Sequence, residues 1–266
     1  MFWNKAEGVA ARALALGELM PITTEAQVIE EDNIRFLGHV VTANAGKKPI
    51  ASKAPIDSQA KVNPFLPYEP DLYVAEAGEN YVCLLNKFPV LSPHLLICSK
   101  AFIPQVSALT IADFEAWILG FDKDDVLGFY NCGPVAGASQ AHRHMQLVKT
   151  DIPLAARIKS GQLPFKHERY LMDAFDACTL HKMYLHALAA LDIGPDAKGE
   201  CRPYNLLLTR EWMLVLPRTT NNIEGVFANG INYSGRFLVK REKQLAWLKE
   251  YGLMNYLTHC GAVSEI

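Results

Sequence analysis

Nothing in this 266-residue sequence is in excess. Lys and Arg number 26 against 28 Asp and Glu, so the formal net charge is only −2. That indicates neither a nucleic-acid coat nor an acidic tail. The longest apolar runs, such as YVCLLN and HLLIC, are far shorter than a membrane span, and the N-terminal MFWNKAEGVAARALALGEL carries acids where a secretion signal would be purely apolar. A cytoplasmic protein with no membrane or nucleic-acid partner is expected. The six cysteines, Cys83, Cys98, Cys132, Cys178, Cys201 and Cys260, include no C-x-x-C pair, which argues for reduced thiols instead of a disulfide framework or a zinc ribbon. There is no internal repeat, and one loop rich in Lys, Pro and Ala is the only biased segment. What remains is an ordinary globular composition, half apolar and a fifth charged, in a chain long enough to bury a large core unaided.

Apolar positions Val9, Leu14, Leu16 and Leu19 predict one amphipathic helix ending at Pro21. Residues 34–41 read as a strand, and AGKKPIASKAPIDSQAKVNPFLPYEP as a long surface loop. DLYVAEA, GEN and YVCLLN form a hairpin signal, and HLLICSK gives another strand. Thr110 and Asp113 are spaced as a capping box opening a helix through Phe114, Trp117, Ile118 and Phe121. VLGFYNC and AHRHMQLV read as strands flanking a GPVAGASQ loop. Residues 168–193 predict one long helix ended by Gly194 and Pro195. YNLLLT and WMLVLP are two further strands, NNIEGVFANGINYSG is a loop, and REKQLAWLKEYGLMNYL is helical. Short strands with few intervening helices argue for an α+β fold with a mainly antiparallel sheet.

The chemistry concentrates in GPVAGASQAHRHMQLV, residues 133–148. Side chains alternate faces along a strand, so His142, His144 and Gln146 share one face and Arg143, Met145 and Leu147 the other. Imidazole is the side chain best suited to be a neutral nucleophile near pH 7. An amide beside it can donate a hydrogen bond but cannot move a proton, which suits a covalent step on an electrophile such as a phosphoanhydride. In the preceding loop Gly133 and Gly137 allow close backbone approach, successive N–H groups can form an anion-binding concavity, and Ser139 and Gln140 add donors. Two bland alternatives stay open: a plain turn with two internally satisfied histidines, and a zinc site built from Cys132, His142 and His144.

The segment NCGPVAGASQAHRHMQ resembles the active-site segment of the ATP adenylyltransferases, or diadenosine tetraphosphate phosphorylases. These are the transferase branch of the histidine triad superfamily, in which glutamine replaces the third histidine. NPFLPYEPDLYVAE, YVCLLNKFPVLSPHLLICSK, YNLLLTREWMLVLPR and GINYSG…LVK resemble the same family in the same order, so the likeness spans nearly the whole chain. The resemblance implies a sheet of the histidine-triad type with flanking helices in one catalytic unit, 1–266. Its parts would be a helix, strand and basic loop (1–70), a core carrying H-x-H-x-Q (71–155) and a long helix with a C-terminal strand–helix segment (156–266).

The resemblance further implies roles. His144 would be the nucleophile, taking up the adenylyl group of the dinucleotide, releasing ATP and passing the group to inorganic phosphate to give ADP. Gln146 would hold the transferred phosphoryl without offering water a base, a contact worth roughly 2 to 4 kcal/mol in a transition state. His142 would orient the nucleophile. Asn131, Gly137, Ala138, Ser139 and Gln140 match phosphate and nucleotide contacts, as do Asn86 and Lys87 at the end of a pocket-lining strand. His94 resembles the start of the following strand, and Lys48, with Lys47 beside it, the family's phosphate-binding lysine. Asn232 and Lys240 match polar positions near the ligand, whereas Arg236 falls where an apolar residue is expected. With no carboxylate cluster in the sequence, a divalent cation, magnesium, is expected to arrive bound to the nucleotide. A uridylyltransferase acting on sugar phosphates, which shares H-x-H-x-Q, and a non-enzymatic zinc or nucleotide-binding module are the competing functions.

Overall fold

The computed structural model describes residues 2–42 and 63–262. Helix α1 (Phe2–Ala15) leads to strands β1 (Thr24–Glu31) and β2 (Ile34–Val41). Strands β3 (Tyr73–Glu76), β4 (Tyr81–Leu85) and β5 (His94–Ser99) follow, then α2 (Ile111–Ile118), β6 (Val126–Cys132), β7 (His144–Lys149) and α3 (Ala155–Ser160). The chain continues through β8 (Glu168–Leu171), α4 (Ala177–Ala190), β9 (Tyr204–Leu208), β10 (Trp212–Pro217), the short pair β11 (Asn222–Ile223) and β12 (Val226–Phe227), β13 (Arg236–Val239), α5 (Glu242–Tyr251) and α6 (Leu253–Cys260).

The centre is an eight-stranded antiparallel sheet in the order β3-β4-β5-β7-β6-β9-β10-β8. This is an α+β fold with helices on a large antiparallel sheet. Both faces are covered, which is why YVCLL and WMLVLP are apolar at every position and do not alternate. One face packs Ile97, Met145, Leu147 and Leu206 against α1, α2 and α4 through Trp3, Phe114, Trp117 and Tyr184. The other face carries two separate apolar patches. Leu127, Phe129, Val148 and Leu207 meet α3, α5 and α6, while Val82, Leu84, Leu96 and Cys98 meet Phe65. The polar stripe of β7 lies between these patches.

The three stretches expected from sequence interleave. Strands β8 to β10, from the C-terminal stretch, complete the sheet of the middle one, and β13 pairs parallel with β2 from the N-terminal stretch. Among the described residues no helix is long and apolar enough to cross a membrane.

The strands expected from residue 34 to residue 99 and the Thr110–Asp113 capping box are present, with both reciprocal bonds of the box formed. Several expectations need correction. Helix α1 ends at Ala15 and buries Trp3, Ala6 and Ala13, leaving Leu14 and Leu16 exposed. The helix expected over 168–193 begins only at Ala177, after Asp176, whose side chain accepts from Thr179 N–H as the N-cap. Its first residues are instead edge strand β8, because Tyr170 and Leu171 pair with Met213 and Trp212. The C-terminal helix breaks at Gly252, whose φ of +89° lies in the left-handed region. Strand β1, unremarked in the sequence, pairs with β2 through Asp32–Asn33, both at positive φ, the two-residue turn whose twist suits a hairpin.

Candidate active site

Strands β6 and β7 are paired from Val126↔Lys149 to Phe129↔Gln146 and then splay apart. The gap is filled by the amide of Gln105, which is 1% exposed. Its Oε1 accepts from His144 N–H at 2.8 Å, and its Nε2 donates to the carbonyls of His144 (3.2 Å) and Asn131 (3.0 Å). The side chain thus does what a neighbouring strand would do, satisfying the buried backbone where β6 and β7 part.

His144 is buried at the start of β7. Its Nδ1 lies 2.8 Å from the backbone carbonyl of His142. A carbonyl can only accept, so Nδ1 carries the proton and the Nε2 lone pair is bare. Burial, reinforced by the charge of Arg143, pushes this imidazole down to about 4, with the carbonyl bond opposing the shift. The ring is therefore neutral at physiological pH, the state a nucleophile requires. His142 is likewise assigned. Its Nε2 donates to Ser99 O at 2.7 Å, and its Nδ1 accepts from Asn63 Nδ2 at 2.8 Å. Burial lowers its pKa as well. Phe65 covers both rings, with centroids 5.5 Å from each, and its own N–H is held by Asn63 Oδ1. This puts the NPFLP segment directly on the two histidines.

Behind the strand, Arg143 points to the opposite face, as alternation requires. Its guanidinium meets Asp113 at 2.6 Å and donates to Ser107 O at 2.7 Å, both charged groups being 1% exposed. A buried ion pair is tolerable only when hydrogen bonds satisfy it, and Asp113 also accepts from Tyr81 OH and Thr110 N–H. The cap of α2 and the backbone of the H-x-H segment are thereby one assembly.

The Gly-rich loop differs in detail from the expected anion concavity. It closes as a 3-10 turn, in which the N–H groups of Ala136, Gly137 and Ala138 donate to carbonyls of Gly133 and Pro134. Those groups are not free for phosphate. Ser139 and Gln140 make no hydrogen bond among the described residues and remain available. Gly137 is required, because its φ is +93° and a Cβ would lie 2.5 Å from that of Asn229 and 2.8 Å from Ala228 O. The loop is braced from beneath. Asn205 donates to Ala136 O and Asn131 Oδ1, Arg218 holds Asn205 Oδ1 and Thr220 O, and Gly230 N–H donates to Asn131 Oδ1. With its oxygen so engaged, Asn131 can offer a ligand only its Nδ2.

Other expected contacts are placed differently. Asn86 uses its oxygen on Phe88 N–H and one N–H of its amide on His94 Nδ1, so this amide supports a histidine. Lys87 is neutralised by Glu69 and Glu18 at 2.6 and 3.2 Å. Asn232 caps the turn over 230–234, accepting from Asn229 N–H and donating to Arg236 O. Lys240 stands 5.6 Å over the ring of Phe227. Arg236, unexpected in an apolar position, donates to Asp151 O and His39 Nε2. Lys47 and Lys48 lie outside the described residues. The zinc alternative fails on geometry. Cys132 belongs to the core on the opposite face and its thiol donates to Val106 O, while His142 has both ring nitrogens engaged. Among the described residues no group of three His, Cys, Asp or Glu is arranged to hold a metal.

His94, Asn63, Ser99 and Gln105 complete the site. Each acts through a contact 39 to 79 residues away along the chain, so although Asn63 opens the NPFLP segment and His94 starts a strand, local spacing does not reveal their partners.

Two family models together match nearly the whole chain. Residues 1–167 match the Ap4A phosphorylase N-terminal domain and 161–263 the ATP adenylyltransferase C-terminal domain. The Saccharomyces cerevisiae diadenosine 5',5'''-P1,P4-tetraphosphate phosphorylase 2 is 30% identical over 76% of each chain, and Protein APA1 of the same yeast is 26% identical over 68% of each. The solved structure of yeast Ap4A phosphorylase Apa2 in complex with Ap4A superposes with a TM-score of 0.81 at 25% identity, covering 100% of this chain and 98% of that one. Its AMP complex fits with the same score over 99% and 97%. The chain therefore belongs to the Ap4A phosphorylase and ATP adenylyltransferase family.

Proposed function

We infer that the protein is a nucleotidyltransferase that cleaves diadenosine tetraphosphate with inorganic phosphate, giving ATP and ADP, and that it runs the reverse reaction at the same site. The observation that carries the reading is the neutral His144 ring with its proton fixed on Nδ1 and its Nε2 bare. Nε2 attacks the terminal phosphorus that bears adenosine, an N–P bond forms, and the P–O bond to the leaving ATP breaks. Positive charge then develops on the ring, and the His142 carbonyl already aimed at Nδ1–H stabilises it without reorganisation. A phosphate oxygen next attacks the adenylyl phosphorus, the N–P bond breaks, and ADP leaves with the ring restored.

Gln146 donates to the non-bridging oxygens of the group in flight. Because an amide exchanges no proton, water finds no base at that position. Phe65 over the rings adds to the exclusion of water. Ser139 and Gln140 offer free donors to the polyphosphate, and Lys48 is proposed to meet the same chain. Magnesium is proposed to enter coordinated by the polyphosphate itself, since the described residues supply no ligand cluster for it. The free cysteines suit a reducing compartment such as the cytoplasm. The uridylyl alternative is disfavoured, because both matching domain families are those of adenylyl enzymes.

The test is a His144→Ala variant assayed for phosphate-dependent ATP and ADP formation from diadenosine tetraphosphate, alongside mass spectrometry of the native protein after mixing with that dinucleotide alone. Loss of at least about 10³-fold in kcat, with nucleotide binding kept, is the outcome expected on removing a nucleophile. An adenylyl adduct on the native protein and not on the variant completes it. Near-normal turnover by the variant, or a uridylyl adduct from UDP-glucose, refutes the reading.

A further inference from the structure

An amide presents an oxygen and a nitrogen of nearly the same shape, so the value of Gln146 depends on which end faces the phosphoryl group. The oxygen would meet anionic phosphoryl oxygens with repulsion, the NH2 with hydrogen bonds. A chain of contacts on the same face decides between them. Phe88 N–H donates to Asn86 Oδ1 at 3.0 Å. Asn86 Nδ2 lies 3.2 Å from His94 Nδ1, and His94 Nε2 lies 3.0 Å from Gln146 Oε1. The first link is anchored in the backbone, where an N–H can only donate, so Asn86 must place its oxygen there and its NH2 toward His94. His94 Nδ1 then accepts, the proton of the neutral ring sits on Nε2, and that N–H requires an oxygen from Gln146.

We propose that His94 is a positioning residue for phosphoryl transfer, relaying the polarity fixed at Phe88 and Asn86 so that Gln146 turns its NH2 to the transferred group. The inference rests on the nucleotidyl-transfer reading above. His94 does not touch the reacting atoms. Its ring is held in place by Phe129, with centroids 5.7 Å apart, and the backbone of Gln146 is held by Trp117 Nε1 at 3.2 Å, so the amide's rotation is the freedom that His94 removes. Burial holds the ring at about 4 and therefore neutral, as the relay requires.

The experiment compares His94→Phe, which keeps a ring but has no donor, with His94→Gln, whose NH2 can reach the Gln146 oxygen, and reads the His94 tautomer in the native protein by nitrogen-15 NMR. For His94→Phe we expect kcat to fall about 10- to 100-fold with KM for the dinucleotide nearly unchanged, as for a misdirected transition-state donor. His94→Gln should recover most of that loss. Near neutral pH the native spectrum should show Nε2 protonated and Nδ1 bare. Equal loss in the two variants, a change confined to KM, or a proton on Nδ1 overturns the proposal. The tautomer is read without turnover, so it decides even if a variant does not fold. A native protein with Nε2–H that cleaves no dinucleotide faults the reaction assigned above and leaves the relay standing.

Discussion

A histidine on a strand can offer either ring nitrogen, and at His144 the backbone carbonyl of His142 makes the choice two residues upstream. The same locality made His142, His144 and Gln146 visible as a set, because alternation along a strand is a property of the chain itself. Their partners were not visible. Asn63 reaches His142 across 79 positions and His94 reaches Gln146 across 52; the first contact exists only once the segment before β3 lies over the start of β7, and the second once β5 and β7 pair. The role of the amide gives a residue-level prediction. In Gln146→His the new imidazole can take a proton from water, so the share of AMP among the products of diadenosine tetraphosphate cleavage should rise, measured by chromatography at saturating phosphate. An unchanged AMP-to-ADP ratio refutes the role given to Gln146.

At the scale of elements, the opening between β6 and β7 depends on one side chain. Gln105→Ala leaves His144 N–H and two carbonyls without their partner, and an unsatisfied buried donor costs about 1 to 3 kcal/mol. A lower urea midpoint together with a fall in kcat should follow, because the backbone of His144 shifts. Gly137→Ala tests the loop differently. The added Cβ would meet Ala228 O and Asn229 in a left-handed conformation, a backbone strain of about 1 to 2 kcal/mol. The loop must move, and KM for the dinucleotide should rise more than kcat falls. Strand β8 shows where reading the sequence by periodicity failed: Tyr170 and Leu171 continue the apolar spacing of α4, and only the free edge of β10 draws them into the sheet. Gly252, by contrast, carried its break in the sequence, since glycine commonly ends a helix.

For the whole molecule, the buried neutral histidines tie stability to pH. His144 and His94 titrate near 4 in the folded chain and near 6.5 when unfolded, because burial disfavours their charged forms. Between those values the unfolded chain binds more protons, so stability is fully present above about 6.5 and is lost as pH falls through about 4, by at most ~3 kcal/mol per ring. Urea midpoints measured from pH 7 to pH 4 should fall over this window. His144→Ala should fall less steeply, and equal slopes for the two proteins refute the assignment.

Patterns that need only neighbours in the chain were determined by the sequence itself: the α+β class, the apolar strands, the capping box at Thr110 and the shared face of His142, His144 and Gln146. The tertiary structure decided what those residues can do. It turned the N–H groups of Ala136 to Ala138 inward, gave Asn86 to His94 and Asn232 to a cap, and set Gln105 between two strands. Hydrogen-bond polarity and burial are properties of groups brought together from distant positions, and no local spacing encodes which end of an amide or which nitrogen of a ring will face the substrate.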